Sequence, residues 1–416
     1  MNRNIRLLGV GVAIRMLGNA IYGPFLALFL VNVLHLSYVD VGIIIVGVGV
    51  LQLPFGFLGG LLTDRWGRRN LILVGLAAEA VATAGLAYSF SLESLPGAIL
   101  AALVGGIITS AAGPATSAYI ADFAEGTERT RGFTFYRIGF NAGYSVGVTL
   151  GGILISFVGF AGAVATAAAV VGSGAVLLFL TLDPSPREAS RSTPVAPPAA
   201  TDPPGPRPPA RTMRESLRML AKDRVALELL AAFLLGGVVV GQWGITFPLY
   251  VHNVLGISYS LLGIGLALNG LVVVFGQQAT TESVLGRRHT SIAIGGILLY
   301  AAAFLGLGLA GLVAFVPTVV FFAAVVVITF GENLVTIPAA TLPSNLAPQG
   351  EVGAYNGLFS AAAGGGGLAA ILVGGVVLSL TADPLVIWLF LVAPAVPSVL
   401  LFRHAATRLP RAVDTA

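Results

Sequence analysis

Gly60-Leu61-Leu62-Thr63-Asp64-Arg65-Trp66-Gly67-Arg68-Arg69 joins two long apolar segments, at about 41–63 and 71–90. Each segment reaches the roughly 20 apolar residues needed to cross a hydrocarbon core. The polar decapeptide between them is therefore a tight turn at a membrane surface. Gly67 can take the positive φ that such a turn demands. Asp64 closes the incoming helix, and Arg65, Arg68 and Arg69 hold the turn at the lipid headgroups.

The composition agrees. Hydrophobic residues make up 56% of the chain and charged residues 10%, where a soluble domain carries about a quarter charged. Mean hydropathy is +0.93. The 54 glycines suit helices packed closely in lipid. With no cysteine, disulfides, thiol catalysis and Cys-based metal sites are excluded. The single lysine, Lys222, has no glycine-rich phosphate loop around it. The four histidines, His35, His252, His289 and His404, fall at predicted helix ends or in loops. No ATP-driven pump, metal site or cofactor is expected, and a membrane enzyme is a remote alternative. The pI near 9.6 reflects loop anchors, not a nucleic-acid surface.

Hydropathy predicts twelve spans, at about 7–33, 41–63, 71–90, 96–121, 132–156, 160–182, 226–250, 259–281, 291–312, 317–341, 353–380 and 385–402. The apolar run after Met1-Asn2-Arg3-Asn4-Ile5-Arg6 is longer than the ~7–15 residues of a signal-peptide core and lacks a cleavage site, so it is expected to remain as the first span. Of the 22 Lys and Arg, 20 lie at the termini, in the central linker or in alternate connections. The positive-inside rule then puts both termini in the cytoplasm, and a prokaryotic plasma membrane fits.

Residues 183–225 form the one long connection. Ten of the 23 prolines lie between Pro184 and Pro209, which predicts an extended linker. It separates an N-terminal bundle, 1–182, from a C-terminal bundle, 226–402, with 403–416 as a tail. The halves echo each other. Gly67-Arg68-Arg69 and Gly286-Arg287-Arg288 stand 219 positions apart, and Gly132 and Gly353, each opening a fifth helix, stand 221 apart. Two six-span repeats are a transporter architecture.

A charge at mid-membrane is expensive and marks function by default. The first span carries Arg15, Asn19 and Tyr22 on one stripe; Arg15 either lines a cavity or snorkels to the headgroups. The fifth carries Arg137, Asn141, Ser145 and Thr149 four apart, with Gly139, Gly143, Gly147 and Gly151 nearly opposite. One face suits water or substrate and the other a neighbouring backbone; Arg137 could equally be a structural anchor. The tenth carries Thr329, Glu332 and Thr336 on one stripe, with Asn333 beside it. Glu332 lies too deep to snorkel, and desolvation makes it a proton-binding candidate, the alternative being a permanently paired structural carboxylate. Trp243 on the seventh span is a stacking candidate, and Asn269 on the eighth and Tyr136 on the fifth complete the cavity set. Glu79 on the third span is expected to be structural or snorkelled, at a depth that permits a pair with Arg15.

The pattern Gly-x-x-x-Asp-Arg-x-Gly-Arg-Arg resembles the loop between helices 2 and 3 of the major facilitator superfamily. Gly331-Glu332-Asn333, Leu342-Pro343-Ser344-Asn345 and Tyr355-Asn356-Gly357 resemble the tenth and eleventh helices of its twelve-helix drug/proton antiporters. That resemblance implies an all-α fold of two pseudo-symmetric six-helix bundles, a monomer working by alternating access, and proton-coupled export of hydrophobic small molecules. It also implies a conformational lock at the Gly60–Arg69 loop, with Asp64, Arg68 and nearby Asp122 as members, and a proton or cation site at Glu332. Three departures stand out. Val148 replaces the expected proline after Gly147, the first and fifth spans carry Arg15, Tyr136 and Arg137 where some cation exporters place an acid, and the second loop copy is degraded. A carrier of a specific metabolite, such as a sugar, amino acid or organic anion, is therefore the alternative.

Overall fold

The computed structural model describes residues 2–124, 126–185, 223–313, 317–348 and 351–415; the proline-rich linker lies almost wholly outside them. Among the described residues the chain is helical, with one isolated bridge between Arg288 and Thr415. The helices are α1 (Arg3–Tyr22), α2 (Leu26–Asn32), α3 (Tyr38–Trp66), α4 (Arg68–Ser91), α5 (Leu95–Phe123), α6 (Gly126–Thr181), α7 (Arg224–Gly241), α8 (Thr246–Asn253), α9 (Tyr259–Val284), α10 (His289–Ala310), α11 (Pro317–Leu346), α12 (Val352–Leu380), α13 (Pro384–Val392), α14 (Ala395–Arg408) and α15 (Arg411–Asp414).

Among the described residues, eleven continuous stretches are long and apolar enough to cross a membrane. One of them, in α6, breaks at Gly159 (φ 72°, ψ 177°) into two helices, which gives the twelve spans. No loop intervenes there; a single positive-φ glycine turns the chain. Helix starts follow side-chain chemistry. Ser37 accepts from the amide of Asp40, Asp223 from Val225 and Ala226, and Asp383 from Leu385 and Val386, satisfying amides that have no intrahelical partner.

The repeat is written into the backbone. Asn2 and Asp223, 221 positions apart, cap the first helix of each half. That helix breaks in both halves, at the Gly23–Phe25 turn and at 242–245, which holds Gly244. Positive φ follows at His35 (54°) and Gly256 (69°), again 221 apart, and at Gly67 (87°) and Gly286 (75°).

Contacts divide the described chain into two units, Met1–Pro197 with Ser258–Leu271, and Pro198–Ile257 with Val272–Ala416. The start of α9 belongs to the first unit because it packs directly on α6. A Cβ on Gly263 would meet the Val148 carbonyl at 2.5 Å, Ser260 Oγ lies 3.1 Å from Ser156 Oγ, and Asn32 donates to Tyr259 at 3.2 Å. This differs from a boundary at the linker alone.

In the first unit α1 lies backbone-to-backbone on α6. A Cβ on Gly139 would meet the Gly9 carbonyl at 2.6 Å, and Cβ atoms on Gly143, Gly147 and Gly151 would run into the carbonyls of Ala13, Leu17 and Ile21. The glycine stripe is thus a seam, four residues per step on both helices. In the second unit α7 and α12 approach the same way, through Gly237 and Gly366. That unit's core stacks Trp388 on Phe304 at 4.5 Å and sets Tyr250 edge-on to Trp388. Leu53, Val81, Phe157, Phe275 and Leu380 are exposed, as side chains facing lipid must be.

Three ends differ most from the hydropathy reading. The fifth span's helix starts at Gly126, six residues before 132, so Gly132 lies inside it; the tenth span continues through Pro343 to Leu346, and the twelfth runs to Arg408. The tail then folds back, burying Asp414 completely.

Candidate functional site

Within the first unit the membrane-embedded charges converge. Glu79 lies 11 residues into α4 and Arg15 12 residues into α1, each about 16–18 Å along its helix. Arg15 Nε meets Glu79 Oε2 at 2.7 Å, and Asn19 Nδ2 donates to Glu79 Oε1 at 2.7 Å. The side chains are only 16% and 6% exposed. Glu79 is therefore neither lipid-facing nor snorkelled: it is a buried partner of the first-span stripe. Asn19 and Tyr22 also border a cavity of about 270 Å³ beside Glu79. The i, i+4, i+7 stripe thus faces the interior of its own bundle, where a charge requires a partner.

The fifth-span stripe is partly self-satisfied. Asn141 Nδ2 donates to the Arg137 carbonyl at 3.0 Å, and Thr149 Oγ1 to the Ser145 carbonyl at 3.0 Å, the backbone bonding such residues favour inside helices. Arg137 is exposed and Asn141 half-buried. Asn269 is buried. Tyr136 packs against the apolar cluster around Leu8, Leu71, Tyr119 and Leu178.

In the second unit Trp243 sits on the turn that breaks the seventh span, its ring 4.5 Å from that of Phe247. Gln242 beside it is wholly buried and its Oε1 has no partner. On α11, Glu332 is half-buried between buried Thr329 and Asn333. Thr329 gives its hydroxyl to the Val325 carbonyl and Thr336 to that of Glu332, both at 2.7 Å. Asn333 Nδ2 is buried without a partner. Gly331 meets Gly296 across α10 and α11, with the Gly296 carbonyl 3.0 Å from a Cβ there. That approach brings buried Tyr300 within electrostatic reach of Glu332.

The Gly60–Arg69 segment turns at Gly67 as its position demands, but α3 runs on to Trp66, so Asp64 lies within the helix and does not close it; Gly67 alone separates α3 from α4. Arg68 pairs with Asp122 at 2.7 Å, with side chains 7% and 3% exposed. Arg69 donates to the carbonyls of Leu182 at 2.6 Å and Phe179 at 3.2 Å. Arg65 is exposed; the side chains of Gly60 and Asp64 lie outside the described residues. In the second copy Arg288 donates to the Ala406 carbonyl, while Arg287 is exposed and Pro343 stands 221 positions after Asp122. Among the described residues, no three His, Asp or Glu side chains converge as a metal site would need.

Sequence reasoning misses Asp414, which accepts from the Thr290 amide at 2.9 Å and hydroxyl at 2.7 Å. An acid two residues before Ala416 carries no sign of burial.

The model described as Major Facilitator Superfamily matches residues 8–371. An uncharacterized MFS-type transporter, YttB of Bacillus subtilis (strain 168), is 25% identical over 379 residues, covering 90% of this chain and 88% of that protein. The quinolone resistance protein NorA of Staphylococcus aureus is 25% identical over 154 residues, 37% of this chain and 39% of NorA. In fold, the chain is similar to the nucleoside transporter NupG (TM-score 0.72, 14% identity, 97% of this chain and 99% of that one). It is likewise similar to a D-xylose-proton symporter (0.66, 16%, 99% of this chain and 98% of that one).

Proposed function

The chain belongs to the major facilitator superfamily and is a membrane-embedded secondary transporter, and from that premise we propose that it exports hydrophobic small molecules in exchange for protons, by alternating access, with both termini in the cytoplasm. Glu332 carries the proposal. It lies 15 residues from Pro317 and 14 from Leu346, about 21 Å from either end of its helix. An ionised carboxylate there costs several kcal/mol, and taking up a proton relieves that cost. Buried Tyr300, on the facing helix, packs against the neighbouring Gly331. Release to one side and uptake from the other would couple the proton gradient to transport.

The half-buried Trp243 ring, backed by the buried Phe247, offers an aromatic surface for an aromatic substrate, and unpartnered Gln242 Oε1 belongs to the preceding residue. The alternative, a carrier for a specific metabolite, calls for a compact polar cavity closing on Arg15, Arg137 and Asn141, and Arg137 is exposed. Arg15 is neutralised by Glu79, and Asn141 bonds its own helix. Similarity to a quinolone resistance protein favours export in the same sense.

The test is transport of a fluorescent lipophilic dye in proteoliposomes under an imposed pH gradient, for wild type and Glu332→Gln. Dye movement that follows the gradient and is lost in the variant supports the proposal. Equal gradient-driven transport by both proteins removes Glu332 from coupling. No dye movement by folded protein favours the metabolite carrier.

A further inference from the structure

Glu79 is a mid-membrane carboxylate that coupling through Glu332 does not use, and two cavities meet at it. The larger, about 270 Å³, is lined by Asn19, Tyr22, Gln52, Thr83 and Thr109 as well as Glu79. The smaller, about 20 Å³, is lined by Arg15, Gly75, Thr116 and Leu178 as well as Glu79, and has room for a single water. Helix order places them in line. On the first span the larger cavity takes positions 19–26 and the smaller 8–15; on the third, 79–86 and 72–79; on the fourth, 101–109 and 112–116. The smaller cavity therefore lies toward the Arg-rich loop and the larger toward the opposite end. Glu79 is the one residue lining both, so the Arg15–Glu79 pair stands as the partition between them.

Asn19 adds an independent sign. Its Nδ2 donates to Glu79 Oε1, yet its Oδ1 is buried with no partner. A buried carbonyl left empty calls for an explanation. Half a turn of the amide presents that oxygen to Glu79, where it accepts from the O–H of a protonated carboxyl. The Asn19–Glu79 contact is thus satisfied in either protonation state.

We infer that Glu79 is a second proton-binding site, standing between two water-accessible cavities inside the first bundle. A proton from water in the larger cavity forms the O–H bond on Glu79. Arg15 keeps its own proton and charge, and the cluster gains one positive charge. Loss of that proton to water in the smaller cavity restores the ion pair. The titratable groups facing Glu79 are Arg15 and Tyr22 on the first span. Among the described residues that line the two cavities, the second and fourth spans contribute Gln52, Thr109 and Thr116 as polar side chains, and the sixth span contributes Leu178. The role of this site in transport rests on the proton-coupled reading above; its chemistry does not.

The test is an infrared pH titration of the full chain in liposomes, beside dye transport. A carboxylic C=O band that grows as pH falls, present in wild type and Glu332→Gln and missing from Glu79→Gln, supports the inference. So does movement of its midpoint to higher pH in Arg15→Gln, where no cation holds the carboxylate ionised, together with a tenfold or greater fall in gradient-driven transport by Glu79→Gln. Should Glu79→Gln fail to fold with Arg15 unpaired, Arg15→Gln combined with Glu79→Gln removes both charges and serves instead. An unchanged band in the Glu79 variant overturns the site and leaves a permanent structural ion pair. A Glu79 band in protein without gradient-driven transport upholds the site and overturns the antiporter reading. Transport lost in Glu332→Gln with no Glu79 band does the reverse.

Discussion

Arg69 donates to the carbonyls of Leu182 and Phe179, and Arg288, 219 positions later, donates to the carbonyl of Ala406. In each half the loop after the second span thus reaches across to the last turns of the sixth helix of that half. A cation there satisfies carbonyls that have no intrahelical donor and opposes the negative end of the helix dipole. A hydrogen bond from a charged group contributes about 1.5–3 kcal/mol. Arg69→Ala and Arg288→Ala should each lower the thermal unfolding midpoint in detergent by that measure, with Lys restoring part of it. Equal midpoints for wild type and both alanine variants would count against the capping role.

Arg68 and Asp122 make the opposite case, a contact that among the described residues has no counterpart in the second half, where Pro343 stands 221 positions after Asp122. Removing one partner of a buried pair costs about 3–5 kcal/mol, so Arg68→Gln or Asp122→Asn should destabilise strongly. Arg287→Gln, at an exposed position, should be near neutral. The three unfolding midpoints, measured side by side, check this asymmetry. If the loop is also a conformational lock, the first two variants should slow or bias transport even where folded protein is recovered.

The tail makes a third prediction. Asp414 accepts from both the amide and hydroxyl of Thr290 and lies 3.9 Å from Arg288. It caps α10 from a distant part of the chain. Asp414→Ala should cost about 1–3 kcal/mol, and Thr290→Val should cost less because the amide bond survives. Removing residues 411–416 should match Asp414→Ala in thermal unfolding; a harmless truncation would mean the buried tail contributes nothing.

The glycine seam makes a fourth. Gly143→Ala drives a Cβ into the Ala13 carbonyl, backbone against backbone, and should cost about 2–4 kcal/mol as α1 is pushed away. Gly357→Ala meets nothing within 4 Å and should stabilise by a few tenths to about 1 kcal/mol through helix propensity. The two substitutions are chemically identical, so opposite shifts in the unfolding midpoint isolate the seam.

Trp243 makes the fifth. If its ring is a platform for flat substrates, Trp243→Ala should weaken transport of an aromatic dye about tenfold, through concentration dependence rather than maximal rate, and Trp243→Phe should retain most of it. Dye transport that is unchanged in Trp243→Ala would remove the ring from the substrate path.

Much of this molecule is legible in its sequence because lipid imposes lengths. Twelve spans, the turn at Gly67 and the close approach made by Gly139 to Gly151 all follow from rules about one segment or one residue type. Asp122 is readable as a neighbour of the Arg68 loop because both fall at the same membrane surface. Glu79 is less so. Its depth matches Arg15, but which way it faces is a matter of helix rotation, and α4 is apolar all round since lipid and packed interior favour the same side chains. Asp414 is hidden for another reason: its burial depends on a tail folding back over α10, a tertiary event with no local pattern. The polar stripe on α6 shows the limit of periodicity, which finds a common face but not whether Asn141 and Thr149 spend their hydrogen bonds on their own helix.

A hydrophobic compound dissolved in the bilayer reaches a carrier sideways, through whichever crevice between helices admits it. The junction of α1 with α6 admits nothing, because carbonyls of one helix occupy the space where side chains of the other would be. Lateral entry along that flank is closed in every state that keeps the two helices together. They therefore serve as one stiff double rod, and any doorway for membrane-borne cargo has to open at a junction lined by side chains that can swing aside.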